Sequence, residues 1–510
     1  MNENLITYTT PEAVGVPSEK IEQFIKRLEE KQLATHSLIL ARGNQIFFEH
    51  YWEPFHREFQ HRMYSVSKSF VSLAVGFLEQ DGKINLDDPM SKYFAKELAN
   101  QKDENMHNQT IRDMLMMSTT KVDNGWFCSK TSDRVQWYFD NSAEYSRPAG
   151  TMYEYDSTGS FVLGALVERI TGMPFMDYLH EKMFREIGVS EEAYCLKCPG
   201  GHSWGDSAVL MRPIDLFLTA RFVLNGGKWN GKQILDEAYI KAATSKQVDN
   251  NYYNMNTWNT QGYGYLFWRT YQDSFFFNGM GCQFAVCVPR KDLIMVINSD
   301  NQGKDQMGRM IMDSFFELIV DEAGEAASAE GDVKWEALPE NQAAQRSLKE
   351  YAKGLKLLVQ PGKEHSAWEK RINGVTYYLN KNPMGITKFC ITFEGDKGSF
   401  AYTNEQGDKE IFFGMGHNVF GTFPQEGYSA DVGSEYVPGN FYKCAASAAW
   451  TEESKLQIAV QIIDRYFGNM TMTFGFKDRE VGVFMHKTAE CFLEEYQGYG
   501  HGKCGEKQDE

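Results

Sequence analysis

Ser65 and Lys68 stand three residues apart in Met63-Tyr64-Ser65-Val66-Ser67-Lys68-Ser69-Phe70-Val71. A hydroxyl and an amine at that spacing share one face of a helix and come within hydrogen-bonding range. A serine hydroxyl is a poor nucleophile until a base takes its proton. A lysine desolvated against apolar surface gives up its own proton more easily and can serve as that base. The run that follows supplies such a surface. Phe70, Val71, Leu73, Ala74, Phe77 and Leu78 recur with helical spacing until Asp81-Gly82 stops them. Ser65 is therefore expected at or just inside a helix N-terminus, where backbone N–H groups and positive potential suit an acyl oxyanion. The competing reading of a bare S-x-x-K is a capping serine with a solvated lysine. The continuation Ser-Phe-Val-Ser-Leu-Ala-Val-Gly-Phe-Leu argues for burial instead.

Cys195-Leu-Lys-Cys198, followed by His202, is the other cluster with chemical potential. A structural zinc site needs four ligands, and only His202 lies near the pair. A redox pair would sit at a strand-to-helix turn of a small domain. Two loop cysteines are the simpler expectation. All nine cysteines are scattered, which fits free thiols in a reducing compartment.

The elements that must position these residues follow from periodicity. Residues 37–42 and 45–51 flank Gly43-Asn44 and read as a β-hairpin. Residues 110–117 and 159–171 read as helices, and 213–225 as a helix with Pro213 at its start and Gly226-Gly227 at its end. Strands are expected at 263–269, 274–278, 283–288 and 293–298, then an amphipathic helix at 307–320. Strands at both ends with helices between predict an α+β layout: one antiparallel sheet joining early and late strands, flanked by helices. Residues 321–346 are small and acidic and read as a linker. A short helix is expected near 345–358, after which the region 347–500 offers short strands at 371–379, 388–393, 399–403, 410–414, 445–450, 455–463, 469–476 and 481–486, which predicts an antiparallel β-barrel or sandwich. Residues 501–510 read as a tail.

The chain has 510 residues and a formal net charge of −17. That balance argues against nucleic acid and anionic membrane as partners, since both call for a basic face. No run approaches the ~18 apolar residues of a membrane span. The first residues lack a basic stretch followed by an apolar one, so no signal peptide is expected and a cytoplasmic location is.

Taken in order, Tyr-Ser-Val-Ser-Lys-Ser-Phe, Gly-Lys-Ile-Asn-Leu-Asp-Asp-Pro, Thr-Ile-Arg-Asp-Met-Leu, Pro-Ala-Gly-Thr-Met-Tyr-Glu-Tyr-Asp-Ser-Thr-Gly and Leu-Asn-Gly-Gly-Lys-Trp-Asn-Gly-Lys-Gln-Ile-Leu resemble the serine β-lactamase and penicillin-binding-protein superfamily. The resemblance is to its class C-like branch, which includes family VIII esterases, D-aminopeptidases and 6-aminohexanoate-dimer hydrolases. It covers roughly residues 10–320. It implies that residues 1–320 form a hydrolase domain with Ser65 as nucleophile, and that Lys68 and Tyr155 share general-base and general-acid work. Tyr155-Asp156-Ser157 takes the place of the family's Tyr-x-Asn. Ser157 still offers a hydrogen bond to a substrate amide but reaches less far than asparagine. The third motif, usually Lys-Thr-Gly or His-x-Gly, falls on Phe277-Asn278-Gly279-Met280. Its basic or threonine residue is missing, which turns the expectation away from β-lactam or D-Ala-D-Ala substrates. The backbone N–H of Met280, after Gly279, would complete an oxyanion hole with that of Ser65. The bland alternative is a glycine turn between strands.

The resemblance also implies a C-terminal lipocalin-like domain of eight strands, serving to cover the site, to oligomerise or to bind a ligand. The expectation is a serine hydrolase that cleaves a small-molecule ester or amide through an acyl-enzyme, without metal or organic cofactor. A catalytically silent acyl-ligand binder and a penicillin-recognising D-amino-acid peptidase are the rivals, and homo-oligomerisation stays open. Tyr64, Trp126, Trp204 and Tyr263 would line an aromatic pocket or, more simply, belong to the core.

Overall fold

The computed structural model describes residues 5–505, apart from 122–124, 126–131, 141–145, 253–257, 305, 325–326, 330–331, 434, 489–492 and 494–495. It divides into two compact units. One comprises Met1–Lys356 with Asp431–Gly433, the other Leu357–Ala430 with Ser434–Glu510.

The first unit is built on a seven-stranded sheet. Its strands are β1 (Thr7–Tyr8), β2 (Thr35–Arg42), β3 (Gln45–Tyr51), β4 (Trp268–Thr270), β5 (Ser274–Gly279), β6 (Gln283–Val288) and β7 (Leu293–Ser299). They lie in the order β1-β3-β2-β7-β6-β5-β4. The early hairpin thus joins the late strands through β2 and β7, with Leu40 opposite Met295. All eight residues of β2 are buried. A strand buried on both faces needs layers on both sides, and helices supply them. On one face α1 (Ser18–Glu30) packs Ile21, Phe24, Ile25 and Leu28 into a core that includes Leu38, Leu40 and Met295. On the other lie α2 (Ser67–Gln80), α3 (Ile111–Leu115), α4 (Ser157–Thr171) and α5 (Pro213–Leu224), as the apolar periodicities require.

Helix α2 is buried without a break from Ser67 to Leu78. A helix apolar all round belongs in the middle of a domain, and this one carries Lys68 there with it. The capping box of α3 joins Thr110 and Asp113, and Pro213 opens α5. The expected helix at 307–320 forms as α6 (Met307–Phe315), continued by a π-helical turn, Phe316–Val320.

Beyond residue 320 the segment expected to be a linker is partly structured. Short strands Ala327–Ala329 and Asp332–Lys334 pair with each other. Helix α7 (Gln342–Ala352) then buries Leu348 and Ala352 in the first unit's core, beside Leu355. This helix falls close to the one expected near 345–358, whereas the small, acidic composition of the segment hid the paired strands.

The second unit is a barrel, with strands β8 (Thr376–Leu379), β9 (Lys388–Glu394), β10 (Lys397–Asn404), β11 (Gly407–Met415), β12 (Val419–Tyr428), β13 (Tyr436–Glu452), β14 (Lys455–Ile463), β15 (Phe467–Lys477), β16 (Glu480–Thr488) and β17 (Gly498–Cys504). Nine of them close a ring, β11-β10-β9-β8-β17-β16-β15-β14-β13, through a parallel contact of β11 with β13, and β12 pairs with β13 outside it. The ring therefore holds one strand more than the expected eight. Residues 498–504 correct the reading of a tail from 501. They pair with β8 and β16 on both edges, so backbone hydrogen bonds hold a stretch whose glycines and polar residues carry no strand pattern. Inside the barrel the rings of Phe389, Phe400 and Phe474 pack with centroids 5.1–5.7 Å apart, and the hydroxyls of Tyr402 and Tyr496 meet at 2.8 Å. Side chains fill this interior.

Candidate active site

The chain reaches Ser65 through a strained turn. Tyr64 has φ of +47°, a left-handed conformation that costs a bulky residue roughly 1–3 kcal/mol and persists only where its surroundings hold it. Here they do. Tyr64 is buried, the Arg62 guanidinium lies 4.6 Å over its ring, and Gln302 Nε2 donates to its hydroxyl at 3.3 Å. Tyr64–Val66 form a single 3₁₀ turn that runs into α2. No side chain caps α2, so Ser65 is not the capping serine of the bland alternative.

Lys68 Nζ instead donates to Ser65 Oγ at 2.8 Å. The same nitrogen donates to the main-chain carbonyl of Asp206 at 2.7 Å and stands 5.1 Å from the centroid of the Tyr155 ring. The lysine side chain is only 2% exposed, while Ser65 is half-buried. The spacing of three along one helix face thus delivers the contact it promises, with the amine desolvated and the hydroxyl reachable.

Tyr155 is held by the start of α4. Asp156 caps that helix, accepting from the Gly159 amide at 2.8 Å. A side chain at Gly159 would collide with the capping carboxylate, which accounts for the glycine in Tyr-Asp-Ser-Thr-Gly. The Tyr155 ring lies 5.6 Å from that of Trp268 on β4. Tyr263 packs against Trp268 at 5.1 Å and against Tyr153 at 5.1 Å. Ser157 sits buried at the first position of α4.

Gly279 ends β5 directly against this turn. A Cβ there would run into the carbonyl oxygen of Met63, two residues before Ser65. The close approach of strand and turn therefore requires glycine. Met280 follows with its side chain 49% exposed. The loop is tied down from inside. Gln283 Nε2 donates to the carbonyls of Met280, at 3.3 Å, and Ser299. Asn298 Nδ2 donates to Gln283 Oε1 at 3.0 Å, and Ser37 Oγ donates to Asn298 Oδ1 at 3.0 Å.

The electrostatics of the site rest on two buried carboxyls. Burial pushes Asp156 up to about 6, against its hydrogen bond from Gly159 and the nearby Lys68 charge. Burial likewise pushes Asp206 up to about 6, against the charges of Lys68, Arg134 and Arg62. Neither has a role legible in the sequence. Asp156 lay inside a motif without one, and Asp206 reaches Lys68 across 138 residues, with no local pattern to mark it.

Other expectations resolve differently. Tyr64, Trp204 and Tyr263 are buried and belong to the core; Trp126 lies outside the described residues. Cys195 and Cys198 are free thiols. Cys198 Sγ accepts from Arg134 Nη1 at 2.7 Å, and His202 Nδ1 lies 2.7 Å from Glu168 Oε2. Among the described residues no group of three or more His, Cys, Asp or Glu is placed to hold a metal ion, and no helix is long and apolar enough to cross a membrane.

The chain is 23% identical over 231 residues to a 6-aminohexanoate-dimer hydrolase of Paenarthrobacter ureafaciens, covering 42% of this chain and 58% of that protein. It is 24% identical over 242 residues to an uncharacterized protein of Alkalihalophilus pseudofirmus, covering 42% of this chain and 66% of the relative. The chain thus matches less than two thirds of either relative's length. In fold it is similar to an octameric penicillin-binding protein homologue from Pyrococcus abyssi, with a TM-score of 0.50 at 14% identity, covering 95% of this chain and 99% of that one. The Beta-lactamase family model matches residues 21–311, more than half of the sequence and the whole span from Ser65 to Gly279: the chain belongs to the beta-lactamase family.

Proposed function

We propose that this protein is a serine hydrolase that cleaves an ester or amide bond through a covalent acyl-enzyme. The observation that carries the reading is the buried Lys68 amine, 2.8 Å from the hydroxyl of a half-buried Ser65. In this reading Ser65 Oγ attacks the substrate carbonyl while Lys68, with Tyr155 beside it, takes the proton. The same pair returns a proton to the leaving group. The N–H groups of Ser65 and Met280 receive the oxyanion, a task that needs no particular side chain. Water then attacks the acyl-enzyme and regenerates Ser65, with the proton moving by the reverse route. Ser157 offers its hydroxyl to the substrate amide.

The third-motif segment Phe277-Asn278-Gly279 brings no cation. A substrate that depends on its own carboxylate for binding is therefore disfavoured, and a neutral ester or amide fits better. The relative named a 6-aminohexanoate-dimer hydrolase makes that dimer one compound for the screen, beside p-nitrophenyl esters, D-amino-acid amides and nitrocefin. The octameric relative makes the size of the particle in solution worth measuring alongside.

The test is labelling with a fluorophosphonate, which reacts only with an activated serine. Wild type is expected to label and Ser65→Ala to remain unlabelled and without turnover. The substitution removes one hydrogen bond from Lys68, worth about 1 kcal/mol, so the melting curve should stay close to wild type. Equal labelling of a folded Ser65→Ala would remove Ser65 from the mechanism. A wild type that never labels would leave an acyl-ligand binder.

A further inference from the structure

We infer that the Asp206 side chain is the buried counter-charge of Lys68 and governs, through that lysine, the pH at which Ser65 is activated. The inference rests on the Ser65–Lys68 reading above. Lys68 Nζ lies against residue 206, bonded to its main-chain carbonyl at 2.7 Å. The carboxyl group of that residue is fully buried, and among the described residues none donates a hydrogen bond to either oxygen. An ionised carboxylate in that position is costly unless opposite charges face it.

Three cations do, and Lys68 has the largest effect. The other two are committed elsewhere. Arg62 donates to the Ser207 carbonyl at 3.1 Å and lies over the rings of Tyr64 and Trp204. Arg134 bonds Cys198 Sγ and lies over Trp204 at 5.3 Å. The neighbouring thiols of Cys195 and Cys198 are pushed up by burial and stay neutral, and Glu168 is turned to His202. The Asp156 carboxylate, also within reach of the Lys68 charge, is bound to the amide of Gly159 as a helix cap. Neither oxygen of Asp206 accepts from another described residue.

The consequence is a coupled titration. While Asp206 is ionised it favours the protonated lysine, which cannot accept the Ser65 proton. Burial pushes Asp206 up to about 6. Asp206 touches neither Ser65 nor substrate in this scheme; it is a positioning residue that acts through charge. Removing the charge should let Lys68 lose its proton at lower pH.

The experiment follows the rate of fluorophosphonate labelling from pH 4 to 9 on the full chain. Two neutral variants, Asp206→Asn and Asp206→Ser, are compared with wild type and with Asp206→Glu, and melting curves select those that fold. In either folded neutral variant the acid limb should move down by about one pH unit, the lower end of what a nearby opposite charge does to a titrating group. Asp206→Glu should bring the limb back toward wild type. A neutral variant whose limb coincides with wild type, or moves up, overturns the inference while leaving Ser65 as nucleophile. Absence of labelling in wild type at every pH would instead overturn the hydrolase reading, and the inference with it.

Discussion

Lys68 stands at the centre of the candidate site. Its side chain touches Ser65 Oγ, residue 206 and, at ring distance, Tyr155. A fixed cation there would stabilise charge but take no proton. Lys68→Arg keeps the charge, and a guanidinium does not deprotonate in proteins. This variant is therefore expected to be nearly inactive in single-turnover acylation. Acylation at the wild-type rate would show the lysine to be an electrostatic support only. Tyr155→Phe keeps the packing against Trp268 and removes the hydroxyl, with an expected loss of about 10²–10⁴-fold, the share of one general acid–base group. A folded Tyr155→Phe that acylates like wild type would place the second proton carrier elsewhere. The Ser65–Lys68 contact was legible because it is local: three residues on one helix settle it. The buried carboxyl beside it was not, because Asp206 sits in a loop whose sequence, Trp-Gly-Asp-Ser, has no periodicity and no spacing to the nucleophile.

At the scale of elements, the site is a junction between the turn before α2, the capped start of α4 and the end of β5. Each was visible in the sequence through its punctuation: Asp81-Gly82 after α2, Ser-Thr-Gly at α4, glycines beside β5. What the sequence could not show was how closely the elements approach. Gly279 lies against the Met63 carbonyl, which itself accepts the Val66 amide at 3.1 Å. Gly279→Ala should push the strand away from the turn that carries Ser65. A displacement of about 1 Å is enough to lower turnover by ~10²-fold. The expected outcome is a large fall in kcat for the best ester, measured beside a melting curve that stays cooperative. Unchanged kcat in a folded variant would mean that β5 does not position the nucleophile. The elements missed from sequence share a different cause. Gly421, Pro424 and Gly427 interrupt β12, and glycines alternate through β17. Both strands exist because neighbouring strands offer hydrogen-bonding edges, a tertiary effect that overrides weak local propensity.

The whole molecule stores charge-sensitive groups in its interior, and their signs oppose one another. His61 is fully buried against Phe55, Phe59 and His36. Burial lowers it to about 3 and lowers His36 as well. A histidine depressed in the folded state stays neutral there while the unfolded chain takes up a proton below about 6.5. Its contribution is thus present above pH 6.5 and is lost as pH falls toward 3, by at most about 1.4 kcal/mol per pH unit. Asp156 and Asp206 run the other way. Raised to about 6 from 3.8, they bind protons in the folded state first, so acidification from pH 6 to 4 favours folding through them. Across that window the buried histidines and the two buried carboxyls therefore act on stability in opposite directions. Breaking either side should reveal the other. In His61→Gln, urea unfolding at pH 7, 6, 5 and 4 should lose less stability on acidification than wild type does. In Asp206→Asn the loss should be steeper than in wild type over pH 6 to 4. Parallel pH profiles for wild type and both variants would show that neither buried group changes its protonation on folding.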